Sequence, residues 1–148
     1  MAAKWYNKAL TAMMKKQFDF SADTFKVMLV TSSYTFNVED QYVSSANSAE
    51  LSGTGYTGGF GGSGRKAITT PTVINDTTNH ITTFDGDNIV ESLINAGVAA
   101  AAIVIKEITD DAHSPLIAYI DSGGFPITTN GGDLDINWNS LGILELQP

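Results

Sequence analysis

Apolar residues near the start of the chain recur with the period of a helix. Between Ala3 and Gln17 they follow an i, i+4, i+7, i+8 spacing, and most polar side chains fall on the opposite side. The apolar face consists of Tyr6, Ala9, Leu10, Met13 and Met14. The pattern predicts an amphipathic helix within residues 1–20. Its Met-rich face either packs on the protein's own sheet or docks on a partner or an acidic neighbouring subunit.

The remainder of the chain shows the patterns of β-strands. Thr24 to Val30 is rich in β-branched and large apolar residues and is predicted as a buried strand. Turn-forming pairs such as Asp85-Gly86 and Gly123-Gly124 separate the later candidates. The further predicted strands are Lys66 to Ile74, Asn79 to Phe84, Ile89 to Leu93, Val98 to Ile108, Pro115 to Asp121, Asp133 to Trp138 and Ile143 to Leu146.

Two of these segments carry specific predictions. In the segment DLDINW, period two places Leu134, Ile136 and Trp138 on one face, which we expect to be core. Ala96 to Ile105 is ambiguous, because its four consecutive alanines favour a helix while Ile103 to Ile105 favours a strand. We assign its second half to a strand, where small side chains would allow another element to approach closely.

Together these elements predict a mainly β protein. The length of 148 residues fits a single domain, residues 1–148. We expect a β-sandwich or barrel-like domain of about seven to eight strands with one N-terminal amphipathic α-helix. Its parts are the helix at 1–20, a glycine-rich loop at 50–64 and a β-rich body at 65–148.

Charge and composition narrow the classes of function. The formal net charge of −8 argues against a protein that binds nucleic acid directly through a basic face. The chain has no cysteine, which excludes disulfides and thiolate sites. The N-terminus lacks the apolar core of a signal peptide, and the longest apolar run, residues 96–105, is half of a membrane span. We therefore expect a protein of aqueous solution with no membrane partner.

Residues 50–64, ELSGTGYTGGFGGSG, hold seven of the chain's fourteen glycines. The string contains G-x-G-x-x-G, but a nucleotide fingerprint requires a strand before it and a helix after it, and the Walker spacing ends in Arg65 rather than Lys. A flexible tether would not carry Tyr56 and Phe60. We predict an ordered contact loop, with these aromatics as anchors and Gly58 and Gly59 allowing close approach. The alternative is a hairpin that packs only on its own domain.

Candidate catalytic and metal-binding groups are sparse. His80 and His113 lie in polar, turn-like sequence with no nucleophile motif beside either. The carboxylate clusters lack the spacing of a calcium loop, although a weak calcium site at a loop or subunit boundary stays open. These clusters are Asp85, Asp87 and Glu91; Asp110 and Asp111; and Asp133 and Asp135. We assign no catalytic residue, no cofactor and no metal ligand, and expect a protein that is not an enzyme.

Four strings resemble a family of small structural proteins of tailed bacteriophages. They are FKVMLVTSSYTF (Phe25 to Phe36), ELSGTGYTGGFGG (Glu50 to Gly62), INAGVAAAAIVIKE (Ile94 to Glu107) and SPLIAYIDSGG (Ser114 to Gly124). The resemblance covers most of the chain and implies a component of the virion, assembled in the host cytoplasm. Within that family the assignment we prefer is a head decoration or cement protein on the outer capsid surface. Its partner would be the major capsid protein, with a homo-oligomer such as a trimer as the bound form.

That role requires contact surfaces. The candidate interface residues are Trp5, Tyr6, Tyr56, Gly58, Gly59 and Phe60. A tail, neck or fibre-associated subunit of the same particle is the nearest alternative. A glycan-binding module would need Trp5, Tyr34 and Tyr42 exposed in one plane, and an enzyme would need a histidine beside a carboxylate in a cleft.

Overall fold

The computed structural model describes residues 3–148, in which one α-helix, α1 (Asn7–Met14), accompanies short β-strands. Two 3₁₀ turns, Val43–Ser45 and Asn47–Ala49, precede the glycine-rich loop. The strands are β1 (Lys4–Trp5), β2 (Lys26–Val30), β3 (Lys66–Ala67), β4 (Thr72–Asp76), β5 (Ile81–Asp85), β6 (Ile89–Glu91), β7 (Val98–Ala99), β8 (Ala101–Ile105), β9 (Leu116–Ile120), β10 (Ile127–Thr128), β11 (Leu134–Ile136) and β12 (Leu144–Leu146). The prediction of a mainly β protein with one N-terminal helix is confirmed.

The largest sheet has five antiparallel strands in the order β1-β9-β8-β2-β3. Every residue of β8 and β9 is buried, because both strands have neighbours on each side and are covered on each face. This explains the alanine-rich run: its second half is the strand β8, as predicted, and its side chains never reach solvent. The register places Ile103 of β8 opposite Met28 and Tyr119.

The other strands form three smaller antiparallel sheets. One has the order β12-β5-β4, and two are the pairs β6–β11 and β7–β10. The sheets are separate and do not close, so the barrel-like alternative of the predicted fold is wrong, and the β-sandwich stays a prediction. The described chain has twelve strands, more than expected, for two reasons. The predicted strands 66–74 and 98–108 are each interrupted and contribute two shorter strands, and the two-residue strands β1 and β10 were not predicted. Leu134 and Ile136 are buried on one face of β11, as period two predicts, and Trp138 is half-buried beyond it.

The N-terminal helix is shorter than its apolar pattern. Lys4 and Trp5 instead form β1, paired with Tyr119 and Ala118 of β9. The helix packs on β9 and buries Ala9. Met14 is 86% exposed, so the expected packing of a Met-rich face on the sheet is wrong at that residue. Residues 1 and 2 of the predicted helical segment lie outside the described residues.

An aromatic cluster joins the sheets beneath α1. Phe25, just before β2, stacks on Phe20 with ring centroids 4.7 Å apart and lies 5.6 Å from Phe84 of β5. Trp5 meets Phe20 edge-on at 6.0 Å. These contacts place the three-stranded sheet next to the five-stranded one across shared apolar side chains.

Candidate functional site

The glycine-rich loop ends at the only arginine in the chain, Arg65, whose side chain is buried. Its guanidinium group contacts three carboxylates. The Nη2 atom donates to Glu50 Oε2 at 2.7 Å, and Nη1 donates to Glu107 Oε1 at 3.1 Å and to Asp111 Oδ1 at 2.7 Å. A planar guanidinium carries five N–H donors in a fixed fork, which suits it to several carboxylates at once. We call these four residues the Arg65 cluster.

The ionised forms of these groups stabilise one another. Burial would lower the pKa of Arg65, but hydrogen bonds and charges from Glu50 and Asp111 outweigh it and raise that pKa. The hydrogen bond from Arg65 lowers the pKa of Asp111. Burial would raise the pKa of Glu107, yet hydrogen bonds from Lys26, the Gly61 amide and Arg65 hold it below its ordinary value. Arg65, Glu107 and Asp111 are therefore charged at neutral pH.

The same carboxylates hold the glycine-rich loop in place. The backbone N–H of Gly59 donates to Glu50 Oε2 at 2.9 Å, and that of Gly61 donates to Glu107 Oε1 at 3.1 Å. Phe60 lies between these two anchored amides and is 48% exposed. The segment is thus an ordered loop that presents one aromatic side chain to solvent. The loop leads into β3 and not into a helix. It therefore lacks the helix that must follow the glycines of a nucleotide-binding motif.

Tyr56 anchors the loop from inside the domain. Its ring is 1% exposed, and its hydroxyl accepts a hydrogen bond from the Leu29 N–H at 2.9 Å and donates to Glu50 at 3.3 Å. A Cβ added at Gly64 would lie 2.7 Å from the Tyr56 ring, so this glycine is needed for the close approach. Burial raises the pKa of the Tyr56 phenol far above its ordinary value. Tyr56 fixes the loop, and its side chain is not available to a partner.

The other candidate interface residues divide into two groups. Gly58 and Gly59 are half-exposed beside Phe60 and line an open depression of about 610 Å³. Tyr6 is fully buried, with its hydroxyl 3.0 Å from that of Tyr34. Trp5 is half-buried, and its indole N–H donates to a backbone carbonyl of β12 at 3.0 Å. The structure therefore brings Gly58, Gly59 and Phe60 together at the surface and directs Tyr6 into the core.

Glycines in and beside this loop differ in what a side chain would meet. Gly55 and Gly61 both have positive φ, of 77° and 71°. A Cβ at Gly55 would lie 2.5 Å from the Leu93 carbonyl oxygen, whereas a Cβ at Gly61 would have no heavy atom within 4 Å. We expect Gly61→Ala to lower the free energy of unfolding by about 1 kcal/mol, the cost of positive φ alone. Gly55→Ala should cost about 2 kcal/mol more, because backbone must also move.

Urea unfolding of the two variants at one pH tests this difference. Equal midpoints for Gly55→Ala and Gly61→Ala would contradict the close approach of residues 55 and 93. The slope of the free energy with urea should stay constant, because neither change alters the surface exposed on unfolding.

Asp110, His113 and Ser114 sit close together but lack the geometry of a nucleophilic site. His113 Nδ1 lies 2.7 Å from Asp110 Oδ1, both side chains are exposed on a turn, and His113 also lines a depression of about 230 Å³. Ser114 is fully buried, and its hydroxyl donates to backbone carbonyls and accepts from the Ile108 N–H. The Ser114 hydroxyl therefore closes the turn between β8 and β9, and its hydrogen-bond partners are backbone atoms and not the His113 ring.

The requirement for an aromatic glycan platform is not met either. Tyr34 is 8% exposed and hydrogen-bonds Tyr6 and Asp40, and Trp5 is packed against Phe20.

Within residues 3–148, no three histidine, aspartate or glutamate side chains are grouped so as to hold a metal ion. No helix in this part of the chain is long and apolar enough to cross a membrane.

Sequence reasoning did not identify Arg65 as the residue that organises the loop. Its partners lie 15, 42 and 46 positions away, and such distances along the chain carry no periodic signal. The available indication was the single arginine at the end of a glycine run, in a chain whose other cations are lysines.

Comparison with protein-family models, curated proteins and solved structures finds no match to this chain.

Proposed function

We propose that this protein is a structural component of a tailed-phage particle, and specifically a decoration protein that binds the outside of the major capsid lattice and stabilises the head. The observation that supports binding is the loop around Phe60. This exposed aromatic residue lies between two glycines whose backbone N–H groups donate hydrogen bonds to buried carboxylates. The phage assignment itself rests on the sequence resemblance.

Pre-organisation makes such a loop suited to binding. A segment that is already ordered loses little conformational entropy on docking, so more of the contact energy appears as affinity. The half-exposed backbone at Gly58 and Gly59 permits close approach of another surface. Phe60 supplies the kind of aromatic anchor that dominates many interfaces.

The proposed role also uses the rest of the molecule. We take the contact between Phe25 and Phe84 as the centre of a β-sandwich in which the three-stranded sheet covers part of the five-stranded one. A rigid body of this kind can close a homo-oligomer such as a trimer on the shell. Small contacts repeated over a symmetric lattice then add by avidity.

The test is binding to mature shells that lack the protein. Purified wild-type protein, Phe60→Ala and Val38→Ala are mixed with shells and pelleted, and bound copies are counted against free concentration. Val38 is a matched control because it is apolar and 46% exposed on a different loop. We expect saturation in a simple ratio to the shell subunits, with affinity reduced about tenfold or more for Phe60→Ala and unchanged for Val38→Ala.

Other results of the shell-binding experiment would favour a different function or contradict the proposed one. A handful of copies bound at one vertex would favour the neck, tail or fibre alternative. Absence of binding to complete shells would contradict a decoration role. Equal binding by Phe60→Ala and wild type would remove the glycine-rich loop from the interface.

A further inference from the structure

An apolar ridge with acidic neighbours runs along the outer face of the β6–β11 pair. Val90 and Leu93 are 46% and 67% exposed. Asp133 and Asp135 are exposed beside them, since β11 pairs with β6 and places Asp135 opposite Val90. We call these four residues the ridge. Among residues 3–148, neither aspartate has a Lys, Arg or His nitrogen within 4.0 Å.

Leu93 is held in an unfavourable backbone conformation at the end of this ridge. Its φ is 50°, a left-handed value that is uncommon for leucine. The surroundings fix it: its N–H donates to Asp133 Oδ1 at 2.9 Å, and the backbone at Gly55 lies against its carbonyl group. The result is a large apolar side chain directed to solvent from a strained backbone position.

A complementary groove lies between α1 and the three-stranded sheet. It has a volume of about 110 Å³ and an apolar surface that includes Trp5, Met13, Phe20 and Val73. A second, open depression continues from it and shares Met13, Phe20 and Val73. Val73 is 49% exposed on β4, which is an edge strand of its sheet. We call this surface the groove.

The margin of the groove carries the opposite charge to the ridge. Lys15 and Lys16 are exposed at the end of α1, and Lys16 lines the depression that continues the groove. In residues 3–148, no carboxylate oxygen lies within 4.0 Å of either ammonium group. One carboxylate, Asp19, also lines the depression, and it is hydrogen-bonded to Ser21. The groove margin is therefore net positive and the ridge net negative.

We infer that the ridge of one copy docks in the groove of a second copy. The apolar pair Val90 and Leu93 would cover the groove, and the aspartates of the ridge would meet Lys15 and Lys16. The two surfaces share no strand or helix, so one copy can use both at once. Such a contact is head-to-tail, and it closes a ring when the rotation between copies permits.

This contact rests on the proposed function, because it would form the homo-oligomer proposed there, but its test needs no shells. Failure of self-association and failure of shell binding are therefore separate results. A weak contact in solution is compatible with the role, since the lattice would raise the effective concentration of neighbouring copies.

The first experiment is sedimentation equilibrium of the full chain at protein concentrations from about 10 μM to 1 mM. We expect concentration-dependent association for wild type. Leu93→Asn should weaken it at least about tenfold, because the apolar contact is lost. The same variant should unfold at higher urea than wild type, because asparagine tolerates positive φ better than leucine. A purely structural role for Leu93 would not give both effects together.

The matched control is Thr109→Asn. Thr109 also has positive φ, 57°, and is exposed outside both surfaces. This change should stabilise the monomer and leave association unaltered. If Leu93→Asn associates like wild type and Thr109→Asn, the ridge is not part of the contact and the inference fails.

A charge exchange tests the pairing of ridge with groove. Lys16→Glu alone and Asp135→Lys alone should each weaken association, and the double variant should recover most of the loss. Added salt should weaken association of the wild-type protein. A wild-type chain that stays monomeric throughout the concentration range, or a double variant no better than its single variants, would overturn the inference.

Discussion

Replacing Arg65 by leucine is expected to lower the free energy of unfolding by about 3–5 kcal/mol. The cause is the three carboxylates that remain, because Glu50, Glu107 and Asp111 would lose the shared cation that compensates their burial. Burial of uncompensated charge costs far more than the loss of an exposed ion pair. The measurement is urea unfolding at pH 7, compared at constant slope.

Two control variants separate charge from geometry. Arg65→Lys keeps the charge but cannot donate to three carboxylates in one plane, so its loss should be intermediate. Lys8→Ala removes an exposed ion pair with Glu39 at 3.9 Å and should change stability by less than about 1 kcal/mol. If Arg65→Leu matched Lys8→Ala, the Arg65 cluster would not be a main source of stability.

Replacing Glu91 by glutamine is expected to stabilise the protein at alkaline pH. Glu91 is 1% exposed, its Oε2 atom has no hydrogen-bond partner, and the ammonium group of Lys66 is 3.8 Å away, too far for a hydrogen bond. Burial raises the pKa of Glu91 to about 7 from the ordinary 4.5. The folded protein therefore holds a proton that the unfolded chain releases as pH rises above 4.5.

The sign of the pH effect follows from that proton. The contribution of Glu91 to stability should fall as pH rises from 4.5 to 7, and above 7 the buried charge should lower the free energy of unfolding by its full amount. A raised pKa of this size corresponds to about 3 kcal/mol. Glu91→Gln should remove most of that cost, a gain of about 2–3 kcal/mol at pH 8.5 and little gain at pH 4.5.

Unfolding at a series of pH values between 4.5 and 8.5 measures this effect. Glu39→Gln is the matched control, because Glu39 is exposed, its ion pair with Lys8 is 3.9 Å long, and the side-chain oxygen of glutamine can still accept the hydrogen bond from Asn7. Its curve should follow that of wild type. If the difference in stability between Glu91→Gln and wild type does not change across this range, the Glu91 carboxylate is paired or hydrated in solution.

The Arg65 cluster shows why the site could not be found from sequence. The glycine content of residues 50–64 indicates an irregular chain with close approaches, but it does not distinguish a tether from a locked loop. Tyr56 and Phe60 looked equivalent in sequence, as aromatics among glycines. The structure separates them: Tyr56 donates to Glu50 from the interior, and Phe60 stays at the surface.

The N-terminal segment shows a second limit. Its apolar spacing is helical from Tyr6 onward, and α1 forms there. Pairing of Lys4 and Trp5 with β9 overrides the helical pattern at its start, because main-chain hydrogen bonds to a buried strand are available. Met14 follows the apolar spacing yet is 86% exposed at the end of α1.

What the sequence by itself determined is the class of structure. Alternation and β-branched runs locate β2, β9 and β11 to within two residues at each end, because period two and burial act over a few neighbours along the chain. Tertiary structure alone decided which strands pair, that the sheets stay open, and that one arginine joins three distant carboxylates. Those features depend on contacts between residues far apart in sequence, and local patterns specify faces without specifying neighbours.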